Sequence, residues 1–162
     1  MSALLCCIFA LTSCGGDDEP KVTTEAKVSY KLTFDQDVIA ASSIIVYYIG
    51  DNGVVRFEPV TTTTWSKNVT STKFPAEFAV QIAYSPKEAS QLTQETYNLM
   101  VNAEIEGNLS TGERFSFSRS FIGSPTPKDN VIKTLENHSG DAMGYKVTKN
   151  GTATAMSNIN LR

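Results

Sequence analysis

Reactive side chains must converge before they can do chemistry, and the most suggestive pair in this 162-residue chain is two carboxylates, Glu104 and Glu106. Residues two apart on a strand project from one face roughly 7 Å apart. Glycoside hydrolysis tolerates such a separation, with one carboxyl as acid and the other as base or nucleophile. These two glutamates nevertheless share their face with Asn98 and Asn102, the pattern that solvent exposure alone selects on a half-buried strand. Asp35, Asp37 and Asp51 could offer oxygens to calcium if their loops met at one end of the fold. No twelve-residue ligand loop surrounds them, and turn chemistry accounts for all three. His138 is the single histidine. It has no Gly-x-Ser-x-Gly motif to serve and no Cys or His partners for zinc, and it sits at a predicted helix end, where a protonated imidazole suits the dipole. The sequence therefore points to no catalytic residue, no metal ligand and no cofactor.

Aromatic rings offer a non-covalent route. Trp65 and the adjacent Tyr47 and Tyr48 cannot all face one side, because neighbours on a strand alternate. A ring left outside could stack on a sugar or anchor a protein partner, so these three form a candidate ligand platform, with core or edge packing as the plainer alternative.

The elements that would position these groups are strands. Residues 27–34 alternate strictly, with Val28, Tyr30, Leu32 and Phe34 on one side, as a strand with one buried face requires. Asp35–Gln36–Asp37 breaks the run, and 43–49, rich in β-branched and aromatic residues, reads as a central strand. Gly50–Gly53 is a turn with 54–58 as its hairpin partner. The threonine-rich 61–70 reads as an edge strand, and 77–84 alternates with Phe78, Val80, Ile82 and Tyr84 on one face. Ser85-Pro86-Lys87-Glu88 has the form of a capping box opening a short helical turn. Residues 96–106 make the longest alternating run, with Tyr97, Leu99, Val101, Ala103 and Ile105 inward. The partner strand, 113–121, places Phe115, Phe117 and Phe121 inward and Arg119 in the same row. A helix over 130–137 capped by Asp129, and a final hairpin with Asn150-Gly151 in a type I′ turn, complete the chain. Seven to nine short strands with two small helical pieces predict an all-β, antiparallel, immunoglobulin-like β-sandwich.

At the N-terminus the apolar run Ala3–Leu11 is far shorter than the roughly 20 residues that span a bilayer, and it ends in Leu11-Thr12-Ser13-Cys14. This tetrapeptide resembles the lipobox of bacterial lipoproteins. The resemblance implies cleavage between Ser13 and Cys14 and attachment of a diacylglycerol to the Cys14 thiol, so that the membrane itself becomes a partner. No Lys or Arg precedes the run, although leaders carry a basic n-region, so the translation start is expected further upstream. Gly15-Gly16-Asp17-Asp18-Glu19-Pro20 then looks like the acidic export signal of surface lipoproteins of the Bacteroidota. That resemblance implies that Asp17, Asp18 and Glu19 direct the protein to the outer face of the outer membrane, with a periplasm-facing orientation as the alternative.

These readings divide the chain into a signal peptide at 1–13, a flexible acidic tether at 14–26 and one β-sandwich domain at 27–162. The sequence has 14 Lys and Arg against 17 Asp and Glu, and three of those acids are Asp17, Asp18 and Glu19. The body is thus charge-balanced, which argues against nucleic acid as a partner. Its three cysteines are Cys6, Cys7 and Cys14, so the folded part carries no thiol and is expected to fold alone as a monomer. Two functions stay open: a non-catalytic surface lipoprotein that binds a glycan or protein or serves as a structural accessory, and a carboxylate-dependent glycan-active enzyme on a β-scaffold. The missing motifs favour the first.

Overall fold

The structure, a computed structural model, describes residues 21–123 and 125–162. Ser13, Cys14, Asp17, Asp18 and Glu19 lie outside the described residues. Strand β1 (Ala26–Phe34) carries the strict alternation through: its even-numbered side chains are buried and the odd-numbered ones are exposed or half-exposed. The strand is anchored from upstream. The Thr23 amide donates to the Lys149 carbonyl (2.8 Å), and the Ser110 amide donates to the Glu25 carbonyl (2.9 Å). The folded body therefore begins by Thr23, and the last residues of the expected 14–26 tether belong to the sandwich.

After β1 the chain does not simply turn. Asp35 accepts from the Asp37 amide and caps a six-residue helix, α1 (Gln36–Ala41), that buries Val38 and Ala41. A helix of under two turns is too short to show periodicity. The strands that follow are β2 (Ser42–Ile49), β3 (Val55–Val60) beyond the 3₁₀ turn Asp51–Gly53, β4 (Thr64–Ser71) and β5 (Ala76–Pro86). The expected capping box at Ser85–Glu88 is not formed, because β5 runs on through Ser85 and Pro86, which pair with Ser43 and Ser42. A second 3₁₀ turn, Ala89–Gln91, follows and is capped by reciprocal bonds of Glu88 and Gln91.

The long run 96–106 is divided into β6 (Thr96–Asn98) and β7 (Val101–Leu109). The break comes where the Met100 carbonyl accepts from the Asp35 amide (2.9 Å). The five apolar residues of the run are all buried nonetheless. Strand β8 (Arg114–Ile122) corrects another expectation, since Phe117 is exposed and Phe115 half-buried. As the edge strand of its sheet, β8 overhangs the core, and both rings rest on Tyr145, with centroids 5.1 and 6.2 Å away. Arg119 is exposed and lies over the Phe121 ring at 5.3 Å. β9 (Pro125–Pro127) pairs with β6, and α2 (Lys128–Asn137) buries Val131 and Leu135, with Asp129 in its first turn and not at its cap. The final hairpin joins β10 (Ala142–Val147) to β11 (Ala153–Ala155). Only Gly151 there has a positive φ (87°), so the turn is a type I turn closed by the Gly151 amide on Thr148, followed by a glycine bulge. A type I′ turn would need φ > 0 at Asn150 as well.

The result is an all-β antiparallel sandwich with two short helices. One sheet has the order β4-β1-β7-β8 and the other β11-β10-β5-β2-β3, with β6-β9 as a two-stranded annex. The core between the sheets holds Tyr30, Leu32 and Phe34 against Val46, Phe78, Val80 and Ile82, joined by Leu99, Ile105 and Leu135. Each such side chain contributes about 1.5–3 kcal/mol by leaving water. Burial pushes the Tyr30 hydroxyl well above the ordinary phenol range. That hydroxyl donates to the Ile49 carbonyl (2.8 Å), so the polar atom in the middle of the core is satisfied and ties one sheet to the other.

Candidate interaction surface

Strand β3 is the region where side-chain direction departs from simple burial logic. Its register against β2 sets Tyr48 opposite Arg56, Val46 opposite Glu58 and Ile44 opposite Val60. Because Ile44, Val46 and Tyr48 belong to the core, Arg56 and Glu58 are the inward row and Val55, Phe57 and Pro59 the outward one. The polarity is inverted: charged residues face the seam between the sheets, while Phe57, 67% exposed, and Val55, 49% exposed, face solvent.

The inward carboxylate is closely held. Glu58 accepts from the Tyr48 hydroxyl (2.9 Å), the Trp65 indole N–H (3.0 Å) and the Lys67 ammonium (2.6 Å), joining β3 to β4 across the side of the sandwich. The Lys67 ammonium, aided by the Trp65 and Tyr48 donors, holds the Glu58 carboxyl below the usual carboxylate range, and Glu58 in turn raises Lys67. Burial, reinforced by Glu58, raises the Tyr48 hydroxyl.

This cluster takes apart the expected ligand platform. Tyr48 and Trp65 are 3% and 8% exposed, packed with ring centroids 5.3 Å apart, and belong to the core. Tyr47 alone points outward, half-buried, against Phe57 at 5.9 Å with the rings inclined by 40°. Two inclined rings do not make the flat shelf that a sugar ring stacks on. The sequence reading missed Phe57, although a hairpin partner of alternating apolar and charged residues is a visible signal. What it could not supply was the register, which decides which row faces out.

The other residues that could do chemistry are placed apart. Glu104 and Glu106 lie on the outer face of the four-stranded sheet in separate shallow depressions, one beside Asn102 and Ser118 and the other beside Asn108 and Arg114. Glu104 pairs with Lys31 (3.3 Å), and among the described residues the two carboxylates line separate depressions and not the shared cleft that hydrolysis requires. Asp37 accepts from the Asn98 amide (2.7 Å) and the Gln94 side chain (2.9 Å), and Asp35 from the Asn98 side chain (2.7 Å). Asp51 instead accepts from the Thr70 amide (2.7 Å) near the opposite end of β1, so the three aspartates do not converge. Among the described residues no group of His, Cys, Asp and Glu could hold a metal ion. His138 caps the C-terminus of α2 with Nδ1 2.7 Å from Asp141 Oδ2. The neighbouring Ser139 hydroxyl is engaged with Tyr84 backbone atoms and Arg162, and not aligned on the imidazole.

The outer face of the five-stranded sheet is partly roofed by the last residues of the chain. Gln81 accepts from the Leu161 amide (2.8 Å) and donates to the Ile159 carbonyl (3.4 Å), while Arg162 donates to the Ile82 carbonyl (3.3 Å). Farther along the same face Phe57 and Val55 remain open. Among the described residues no helix is long and apolar enough to cross a membrane. Comparison of the chain with protein-family models, with curated proteins and with solved structures finds no match in any of the three.

Proposed function

We propose that the chain is an outer-membrane lipoprotein, anchored through Cys14 and displayed at the cell surface, whose sandwich is a non-catalytic binding module. The observation that carries this reading is the inverted polarity of β3, which leaves Phe57 and Val55 outward on an edge strand while its carboxylate is locked into structural bonds. Aromatic residues, Phe among them, are enriched at the centres of protein contacts. The lipobox-like Leu11–Cys14 and the acidic Asp17–Glu19 supply the address.

Phase partitioning in a cloud-point detergent, combined with protease shaving of intact cells, tests the reading. Wild type should enter the detergent phase and be cut on whole cells. Cys14→Ser should move to the aqueous phase, since the acyl chains carry the membrane affinity. Replacing Asp17, Asp18 and Glu19 by Ala should leave the protein in the detergent phase but protected from protease. Equal partitioning of wild type and Cys14→Ser would overturn the anchor, and protection of wild type would overturn the surface orientation.

A further inference from the structure

We propose that the partner of β3 is the β3 strand of a second copy of this chain, paired antiparallel about a two-fold axis centred on Phe57. The inference rests on the reading of the chain as a membrane-anchored binding module and names what the module binds.

The hydrogen-bond parity of β3 comes first. The Gly50 amide donates to the Val54 carbonyl (2.7 Å), so that pair is of the hydrogen-bonded kind, and Tyr48–Arg56 and Val46–Glu58 follow it at steps of two. The amides and carbonyls of the intervening residues, Val55 and Phe57, therefore point away from β2. Pro59 shares their parity, and its nitrogen, which carries no hydrogen, faces the free edge, where a proline is tolerated. β3 ends the order of its sheet, so these backbone groups offer a template for another strand.

Charge selects the occupant. In a pair centred on Phe57, Arg56 of each copy stands opposite Glu58 of the other, and Val55 stands opposite Pro59. Opposite charges across a strand pair stabilise it, whereas an in-register parallel pair would set Arg56 against Arg56 and Glu58 against Glu58. Phe57 of each copy exchanges both backbone bonds with its mate, and each Val55 amide reaches the Pro59 carbonyl, giving four bonds in all. The missing Pro59 donor keeps the pairing short. A two-fold contact of this kind closes on itself and cannot grow into a fibre.

The outward rows of the two copies then join, bringing Val55, Phe57 and Tyr47 of each into one apolar strip. An interface made from one short strand per copy falls in the small, transient class. Pairing is accordingly weak in dilute solution and is promoted when a lipid anchor confines the copies to one surface and raises their effective concentration.

Cysteine cross-linking of the full-length protein on intact cells tests this, because the folded body has no thiol of its own. Opposed residues in a hydrogen-bonded pair have Cα atoms roughly 5.5 Å apart, within the disulfide range. Phe57→Cys should thus form a disulfide-linked dimer on mild oxidation. Val54→Cys is the control: it is comparably exposed, yet it would lie roughly 20 Å along the strand from its own mate. Roughly tenfold more dimer at position 57 than at 54 is expected from the difference in effective concentration. Equal dimer at both positions, or none at 57, overturns the pairing. A second readout is independent of the cysteine. Two differently tagged full-length copies should co-purify from the same cells, and Phe57→Lys in both should abolish this without lowering the melting temperature. Co-purification that survives Phe57→Lys also overturns it. Failure of the anchor reading is seen separately, in unchanged partitioning of Cys14→Ser.

Discussion

On the four-stranded sheet the outward rows read Lys27, Ser29, Lys31 and Thr33 along β1 and Asn102, Glu104, Glu106 and Asn108 along β7, with Arg114, Ser116, Ser118 and Ser120 along β8. On the five-stranded sheet the outward positions of β2 and β5 are Ser43, Ile45, Tyr47, Ile49, Glu77, Ala79, Gln81, Ala83 and Ser85. Among the described residues nothing is laid across the first face, which is polar throughout. The second carries polar residues at Ser43, Glu77 and Ser85 but is apolar between them apart from Gln81, and is roofed on one side by residues 159–162 and open on the other at Phe57. Ile49 and Ala79 are buried although they lie outside the main core between the sheets. A bare sheet face selects polar residues, and an apolar one signals a cover, present or to come.

The sharpest way to break the difference is to disturb the close fit on the covered side. A side chain at Gly144 would place its Cβ 2.7 Å from both the Ala79 Cβ and the Phe78 carbonyl oxygen. Gly144→Val should therefore lose about 3 kcal/mol by overpacking, a fall in melting temperature of roughly 10 °C. A fall of under about 2 °C, the equivalent of less than about 1 kcal/mol, would show that β10 and β5 are not packed this closely.

Removing the pin that holds the cover should come next. Gln81 is buried, and Gln81→Ala deprives the Leu161 amide and the Ile159 and Gly140 carbonyls of their partner. A loss of about 2 kcal/mol is expected from unmet buried polar groups. Hydrogen exchange would locate the change, since the peptide 156–162 should exchange faster while β1 and β7 keep their protection. Uniform acceleration would mean that the cover is not a separate unit.

A smaller effect is expected at the seam, where the inward Glu58 accepts from Tyr48, Trp65 and Lys67. Glu58→Gln should remove about 1 kcal/mol or less, because the Glu58 and Lys67 side chains are 35% and 38% exposed and screened by water. Since the folded carboxyl titrates below its ordinary 4.5, the wild-type advantage is fully present above that pH and fades as acid carries the pH down through the folded value. Lys67, raised by its partner, contributes below its ordinary 10.5 and loses that contribution as the pH rises through its folded value. Melting curves of both proteins from pH 3 to 8 should converge at the acid end, and a constant gap would refute the ion pair.

The bare face should be the least sensitive. Ser118→Ala removes an exposed hydroxyl, and a change within about 0.5 kcal/mol is expected. A larger loss would reveal a role for this face that its uniform polarity hides.

The same contrast explains what could be read before the fold was seen. Where one face is wet, as in β1 and β7, alternation is clean and both strands and their inward residues are legible. In β2 and β5 both faces are covered, so Ser43–Ile49 shows a nearly continuous apolar run from which a strand can be inferred but not which side faces the core. Tyr47 and Tyr48 illustrate the difficulty: only the register with β3 and β5 assigns one outward and the other to the core. The inverted polarity of β3 was out of reach for the same reason, since its alternation is clear and its direction depends on a turn. Helix α1, too short to carry a period, and the break between β6 and β7 depend on Asp35 and Asp37, residues distant in sequence from the Asn98 they hold.

The way the chain enters the sandwich constrains how two copies can meet. Thr23 and Glu25 are fastened beside Lys149 and Ser110, at the end of the sheets that carries the turns, whereas α1 and the β6–β9 annex occupy the end where β1 leaves. Strands paired in opposite senses set these two entry points at opposite ends of the pair. Should the proposed anchor hold, two molecules on one bilayer would bring both entry points to it most directly by lying down, with their strands along the membrane plane. Standing upright, one of the two would need its tether to span the length of the sandwich to reach the same surface. The direction of one short strand thus sets how far apart the two chains leave the dimer, and with it the length of tether the pairing demands.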